Sequence, residues 1–240
     1  MKKILLLMTA MVLISVSARA ADLDPSLLNG VQQNFRSLSK EIGFGLSYFP
    51  MAPAEPLGIL GFDIGLEVTA LDINEDKIYW KIMGDFPDML PIPRLHVQKG
   101  LPFGIDVGAI YSSIPSTNIS LWGGELKWAF LKGDIATPAV AVRGTYTQLN
   151  GVEYLDLNTM GYDISISKGF TILTPYAGIG QVKIESDPKI PSSLPQLQKE
   201  SITETKYFAG LRVSLGLINM VAEADFAEVP AYSLKLGVGF

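Results

Sequence analysis

The sequence contains no cysteine and one histidine, His96. Disulfides, thiol catalysis and a lipid-modified N-terminal cysteine are therefore excluded, as are zinc or iron sites built from several histidines. Basic residues are few, 19 against 24 acidic ones. None is gathered into a stripe, so a nucleic-acid partner is excluded. Beyond the first twenty residues there is also no apolar run of the roughly 20 residues that a spanning helix needs. Yet the mean hydropathy is +0.28. Apolar character is present in quantity, then, but spread in alternation.

Met1 to Ala20 has the form of a cleaved secretory signal. Lys2 and Lys3 start it, Ile4 to Val16 is apolar, and Ala18-Arg19-Ala20 supplies small residues for cleavage. Its removal takes three basic residues and no acid, which moves the net charge from −5 to −8. From Asp24 to Lys40 the spacing turns helical, with Leu27, Val31, Phe35 and Leu38 on one side and Asp24-Pro25 as cap and first turn. This predicts a short helix over 21–40, either a cap at the periplasmic mouth of a barrel or a plug in its lumen.

The rest alternates with period two, the signature of strands with unlike faces. At the end of the chain Tyr232, Leu234, Leu236, Val238 and Phe240 alternate with Ser233, Lys235, Gly237 and Gly239. This pattern resembles the C-terminal strand by which outer-membrane β-barrels are recognised for insertion. Eleven alternating segments can be placed from Glu41 onward, the first pairing Ile42, Phe44, Leu46 and Tyr48 against Gly43, Gly45 and Ser47. Asp76 to Met83, with Ile78, Trp80 and Ile82 on one face, makes a twelfth. An even count returns both ends to the periplasm; if Asp76 to Met83 is instead a loop helix, the N-terminal segment must thread the lumen. The expectation is an all-β, transmembrane antiparallel up-and-down barrel over 41–240, of ten to twelve strands with twelve preferred. Short connections alternate with long ones, and two aromatic belts follow. Tyr111, Tyr146, Tyr207 and Tyr232 lie toward one rim, with Phe103, Trp128, Phe130, Tyr176 and Phe240 toward the other.

The segments PIPRLHVQKGLPFGIDVG, Pro91 to Gly108, and PLGILGFDIGLEV, Pro56 to Val68, resemble a family of uncharacterised outer-membrane barrel proteins of Gram-negative bacteria. The resemblance implies a barrel fold and an outer-membrane location, and it brings no substrate and no site residue.

Taking the polar face as the inner one puts Arg94, Lys127, Arg143, Lys183, Lys206, Arg212 and Lys235 in the lumen with Asp63, Glu67, Asp106, Glu125, Asp163, Glu223 and Asp225. A pore selective for one sign of ion needs an excess of the other sign on its wall. Seven against seven instead predicts pairing across a narrow lumen, and His96 joins the set as a hydrogen-bonded residue. Ser112, Ser165 and Ser214 are the hydroxyls that a catalytic His96 would need, and no enzyme is expected. The inward glycines Gly43, Gly45, Gly61, Gly65, Gly104, Gly108, Gly237 and Gly239 leave room at the wall, for a small solute or to relieve crowding. The functional expectation is a narrow channel or transport protein for small or hydrophobic solutes. The alternative is a structural or surface-interaction barrel with an occluded lumen and working loops at Ser186 to Ser201 and Leu71 to Leu90. The latter loop is expected to expose Tyr79, Trp80, Ile82, Met83, Phe86 and Met89. Expected partners are outer-membrane lipid and the barrel-assembly machinery; no cofactor and no metal are expected.

Overall fold

The computed structural model describes residues 31–83, 87–114, 117–190 and 197–240. The expected signal, the first part of the expected helix, Phe86 and the tip of the longest loop lie outside the described residues. Ten antiparallel strands close into a barrel: β1 (Phe62–Asp72), β2 (Met89–Gly100), β3 (Ile105–Ser113), β4 (Ser120–Lys132), β5 (Ala139–Asn150), β6 (Leu155–Ser167), β7 (Leu173–Pro188), β8 (Glu200–Leu215), β9 (Ile218–Phe226) and β10 (Pro230–Gly239). Each pairs with its sequence neighbours, and β1 closes on β10 from Asp63 opposite Gly239 to Leu71 opposite Ala231. At this lower end Phe62 and Phe240 exchange backbone hydrogen bonds of 3.1 and 3.0 Å, and their rings meet edge to face at 5.0 Å. The upper end carries the longer connections.

Ten strands replace the preferred twelve because two segments expected to be strands, the first and Asp76 to Met83, are helical. Helix α1 (Gln32–Leu46) takes in most of the segment expected to be the first strand. Its alternating glycines are not a strand's small face; they admit the helix to the wall. A Cβ on Gly43 would fall 2.3 Å from Ile184 Cγ2, and one on Gly45 would fall 2.7 Å from Leu71 Cδ2. This close packing outweighs the poor helix propensity of glycine. The barrel therefore begins at Phe62 and not at Glu41. Asp76 to Met83 contains helix α2 (Ile78–Met83), which follows a turn in which Asn74 accepts from the backbone of Asp76 and Lys77. Its two-residue alternation is too short to tell strand from helix.

Along most of the wall, apolar side chains face out and polar ones face in. Tyr232, Leu234, Val238 and Phe240 are all exposed, while Ser233 and Lys235 are buried. On β6, β7 and β8, which run past their neighbours at the upper end, the rule reverses. Asp156, Asn158, Lys183, Glu185, Ser201 and Thr203 face out there, and Leu157, Val182, Ile184 and Ile202 are buried within. Two sequence expectations are corrected on β7: Lys183, in the reversed stretch, points outward, and Tyr176, near the lower end and expected in the lower aromatic belt, is interior and 4 % exposed. The cause of the reversal is α1, whose Phe35, Leu38 and Ile42 fill the upper mouth and require an apolar inner wall.

Candidate functional site

From Ser47 to Gly61 the chain runs down inside the barrel as an extended strap and turns into β1 at the lower end. Pro50, Pro53 and Pro56 remove three backbone donors that a dry interior would have to satisfy. The remaining polar groups of the strap are held by side chains of the wall. Arg94 donates to the carbonyls of Gly45 and Ser47, the latter at 3.1 Å. Lys206 donates to Tyr48 O at 3.2 Å, and Lys127 to Pro53 O at 2.9 Å and Glu55 O at 3.0 Å. In the other direction Met51 N donates to Glu223 at 3.1 Å, Glu55 N to Ser167 Oγ at 3.2 Å and Leu57 N to Asp106 at 3.1 Å. At the bottom Gly58 and Gly100 meet so closely that a Cβ on Gly100 would lie 1.9 Å from Gly58 O, so only glycine fits.

The same charged residues pair with each other. Glu67 accepts from Arg94 at 3.3 Å and lies 2.9 Å from His96 Nδ1. Lys127 meets Asp106 at 2.9 Å, Arg143 meets Glu125 at 3.1 Å, and Asp63 takes Lys235 at 3.0 Å and Arg212 at 3.3 Å. Glu223 accepts the Tyr176 hydroxyl at 2.6 Å. Asp163 and Asp225 are buried on the inner faces of β6 and β9. All the expected lumen residues but Lys183 thus face inward, which leaves six basic side chains facing seven acidic ones. His96 is 0 % exposed, with its other ring nitrogen 2.9 Å from the Tyr48 hydroxyl. Glu67 and Tyr48 thus occupy both of its nitrogens.

The upper mouth is closed by a second polar cluster centred on Glu41. It accepts from Lys77 at 2.5 Å, the Tyr79 hydroxyl at 2.7 Å and Trp80 Nε1 at 2.7 Å. Tyr79 and Trp80, expected to be exposed, are 6 % and 1 % exposed: a loop tip that seals against α1 hides its aromatics. Arg36 pairs with Glu200 at 2.5 Å, and Lys40 with Glu204 at 3.0 Å and Glu228 at 2.7 Å. Between these contacts lies a cavity of about 330 Å³ bordered by Arg36, Lys40, Lys77 and Glu228.

Burial, and then the neighbouring Glu41 carboxylate, push the Tyr79 phenol up to about 12 from its ordinary 10.0. A group whose folded pKa is raised holds its contact fully below the unfolded value and loses it as the pH climbs through the folded one. When the ultraviolet titration of the parent is compared with that of Tyr79→Phe, the difference is therefore expected to be one phenol that ionises near pH 12. Parent and Tyr79→Phe curves that superimpose around pH 12 would show that the anchor has been assigned to the wrong residue.

Sequence reasoning missed Glu41, Tyr48, Tyr176 and Gln98, the last of which donates its side-chain amide to Glu125. Two signals pointed inward nonetheless. Ile110 and Phe208 break the phase of their strands, and both are interior; Ile110 packs against Tyr48. An apolar residue on a polar wall implies an apolar occupant.

The barrel is similar in fold to several solved outer-membrane proteins. The N-terminal barrel domain of Pseudomonas aeruginosa OprF shares 15 % identity, with 76 % of this chain and 99 % of that one covered and a TM-score of 0.39. For Yersinia pestis Ail in a phospholipid nanodisc the values are 13 %, 75 %, 99 % and 0.36. For neisserial surface protein A they are 7 %, 74 %, 95 % and 0.30. No curated protein matches the chain in sequence. A family described as being of unknown function (DUF6588) matches residues 81–240, which include β2 to β10 and leave out the strap and β1. With two thirds of its length matched, the chain belongs to that family.

Proposed function

We propose that this protein is a barrel of the bacterial outer membrane that is closed by its own N-terminal segment and works at the cell surface, not as a channel. The observation that carries the reading is the strap, whose backbone is bound by side chains from six strands: Arg94, Asp106, Lys127, Ser167, Lys206 and Glu223. An apolar outer wall, with exposed Trp122, Tyr207 and Tyr232 toward one rim and Trp128, Phe130 and Phe240 toward the other, supports placement in a bilayer with lipid as its neighbour. The side bearing the long connections and α1 then faces outward. In this reading His96 ties the strap to the wall and catalyses nothing.

Passage of a small or hydrophobic solute would require the strap to leave. Each bond to a charged wall residue contributes about 1.5–3 kcal/mol, and several would have to break together. In planar bilayers the refolded full-length protein is therefore expected to show no steady conductance. A large, steady, sign-selective conductance would replace this reading with that of a channel.

A further inference from the structure

The strap has a direction. Its lower end, at Gly58 and Gly61, joins β1 beside Phe240, while its upper end continues into α1 within the mouth that carries the long connections. At the start of α1, Gln32 Nε2 donates to Gln198 O at 3.0 Å, and Gln198 N donates back to Gln32 Oε1 at 2.8 Å. Arg36 and Lys40 reach Glu200 and Glu228, also at the upper rim. Val31, the first described residue, is 46 % exposed there. The chain thus enters from the upper end and crosses the whole barrel before its first strand is made.

We infer that the barrel carries its own N-terminal segment through the outer membrane and displays it on the outer face. Val31 and the start of α1 stand on the side of the long loops, although export from the inner membrane delivers the chain to the opposite side. The inference rests on the outer-membrane reading above for the word outer, and on the strap alone for the crossing. The wall makes the crossing part of assembly. An α-helix with its side chains is about 10–12 Å across, and α1 is ringed by contacts to Ile184, Leu71 and α2. It is therefore enclosed as β1 pairs with β10 and does not enter afterwards. The barrel so built presents the start of α1 to the medium, where a soluble protein or a surface of a neighbouring cell can meet it.

The absence of cysteine makes the test direct. Val31→Cys, Lys189→Cys in the upper connection and Ile135→Cys in a lower turn (Ile135 is 100 % exposed) are each made alone in the full-length protein. Each is expressed in cells and treated with a membrane-impermeant maleimide before and after permeabilisation; folding is confirmed by heat-dependent gel mobility. Val31→Cys is expected to label like Lys189→Cys, fully in intact cells, with Ile135→Cys labelling only after permeabilisation. Gln32→Cys repeats the test should Val31→Cys fail to fold. Val31→Cys labelling with Ile135→Cys, and not with Lys189→Cys, would overturn the crossing. If Ile135→Cys labels in intact cells and Lys189→Cys does not, the barrel is inverted. That result overturns the outward display and the surface reading, while the position of Val31→Cys relative to the other two still decides the crossing.

Discussion

Replacing Arg94 with Met is expected to lower the unfolding free energy of the barrel by about 3–5 kcal/mol, the cost of breaking a buried ion pair by removing one member. Arg94 has three tasks at one place. It pairs with Glu67 at 3.3 Å, it satisfies the carbonyls of Gly45 and Ser47 where α1 ends, and its guanidinium lies over the Phe49 ring at 5.0 Å. Carbonyls at a helix C-terminus have no partner within the helix and carry its negative pole, so a buried cation there is worth more than one elsewhere. Arg94→Lys should recover only a minor part of the loss, because a single ammonium cannot span the carboxylate and two carbonyls with the planar fork of arginine. Combining Arg94→Met with Glu67→Gln should cost less than the sum of the two, since both act on one network. Denaturant unfolding in detergent micelles gives all three values. An Arg94→Met protein within about 1 kcal/mol of the parent, the range of ordinary surface substitutions, would show that the helix is held by its apolar face alone.

What could be read in the sequence followed from the lipid. A strand that separates lipid from a polar interior must alternate with period two, and β10 does so without exception from Tyr232 to Phe240. The inward set on β1, β2 and β4 was legible for the same reason: Asp63, Glu67, Arg94 and Lys127 have nowhere else to go. Periodicity separates two faces but does not say which is inside. It therefore misplaced Lys183 on β7, the upper part of which lines a hydrophobic core around α1 and obeys the soluble rule, and Tyr176 near its lower end, where the ring turns inward across Gly210. Nor could pattern reveal what the wall charges hold. Seven acids and seven bases suggested pairing with one another; the structure adds that Arg94, Lys127, Lys206, Asp106 and Glu223 also bind the backbone of Ser47 to Leu57. Backbone groups are the same in every residue, so the sequence of the strap carries no mark of them beyond its three prolines. Gly43 and Gly45 were ambiguous for a related reason: small residues suit a crowded helix contact as well as the inner face of a curved strand.

Glycine is least ambiguous at Gly210, where Gly210→Ala is expected to cost roughly 4 kcal/mol, combining overpacking with the loss of a hydrogen bond to a charged group. Tyr176 of β7 stands opposite Gly210 of β8, which stands opposite Glu223 of β9. The phenol ring lies flat across the glycine to put its hydroxyl on the Glu223 carboxylate at 2.6 Å. A Cβ at Gly210 would fall 2.3 Å from Tyr176 Cζ and 2.4 Å from its oxygen. The neighbouring pair repeats the arrangement in reverse, with Phe208 of β8 lying over Gly178 of β7, its Cζ 2.3 Å from where a Cβ would be. An aromatic covering a cross-strand glycine replaces the packing that glycine lacks and fixes the register. If that ring is the whole cause, Gly210→Ala should cost under about 1 kcal/mol once Tyr176 is already Ala, a coupling that a double-mutant cycle reads directly. An equal cost in both backgrounds would place the strain in the backbone of β8. The bond at stake reaches beyond the wall, because Glu223 also accepts the Met51 amide of the strap. Displacing the ring should therefore loosen the strap as well as the strands, and faster reaction of an interior Met51→Cys with a small maleimide in Gly210→Ala than in the parent would show the two to be joined.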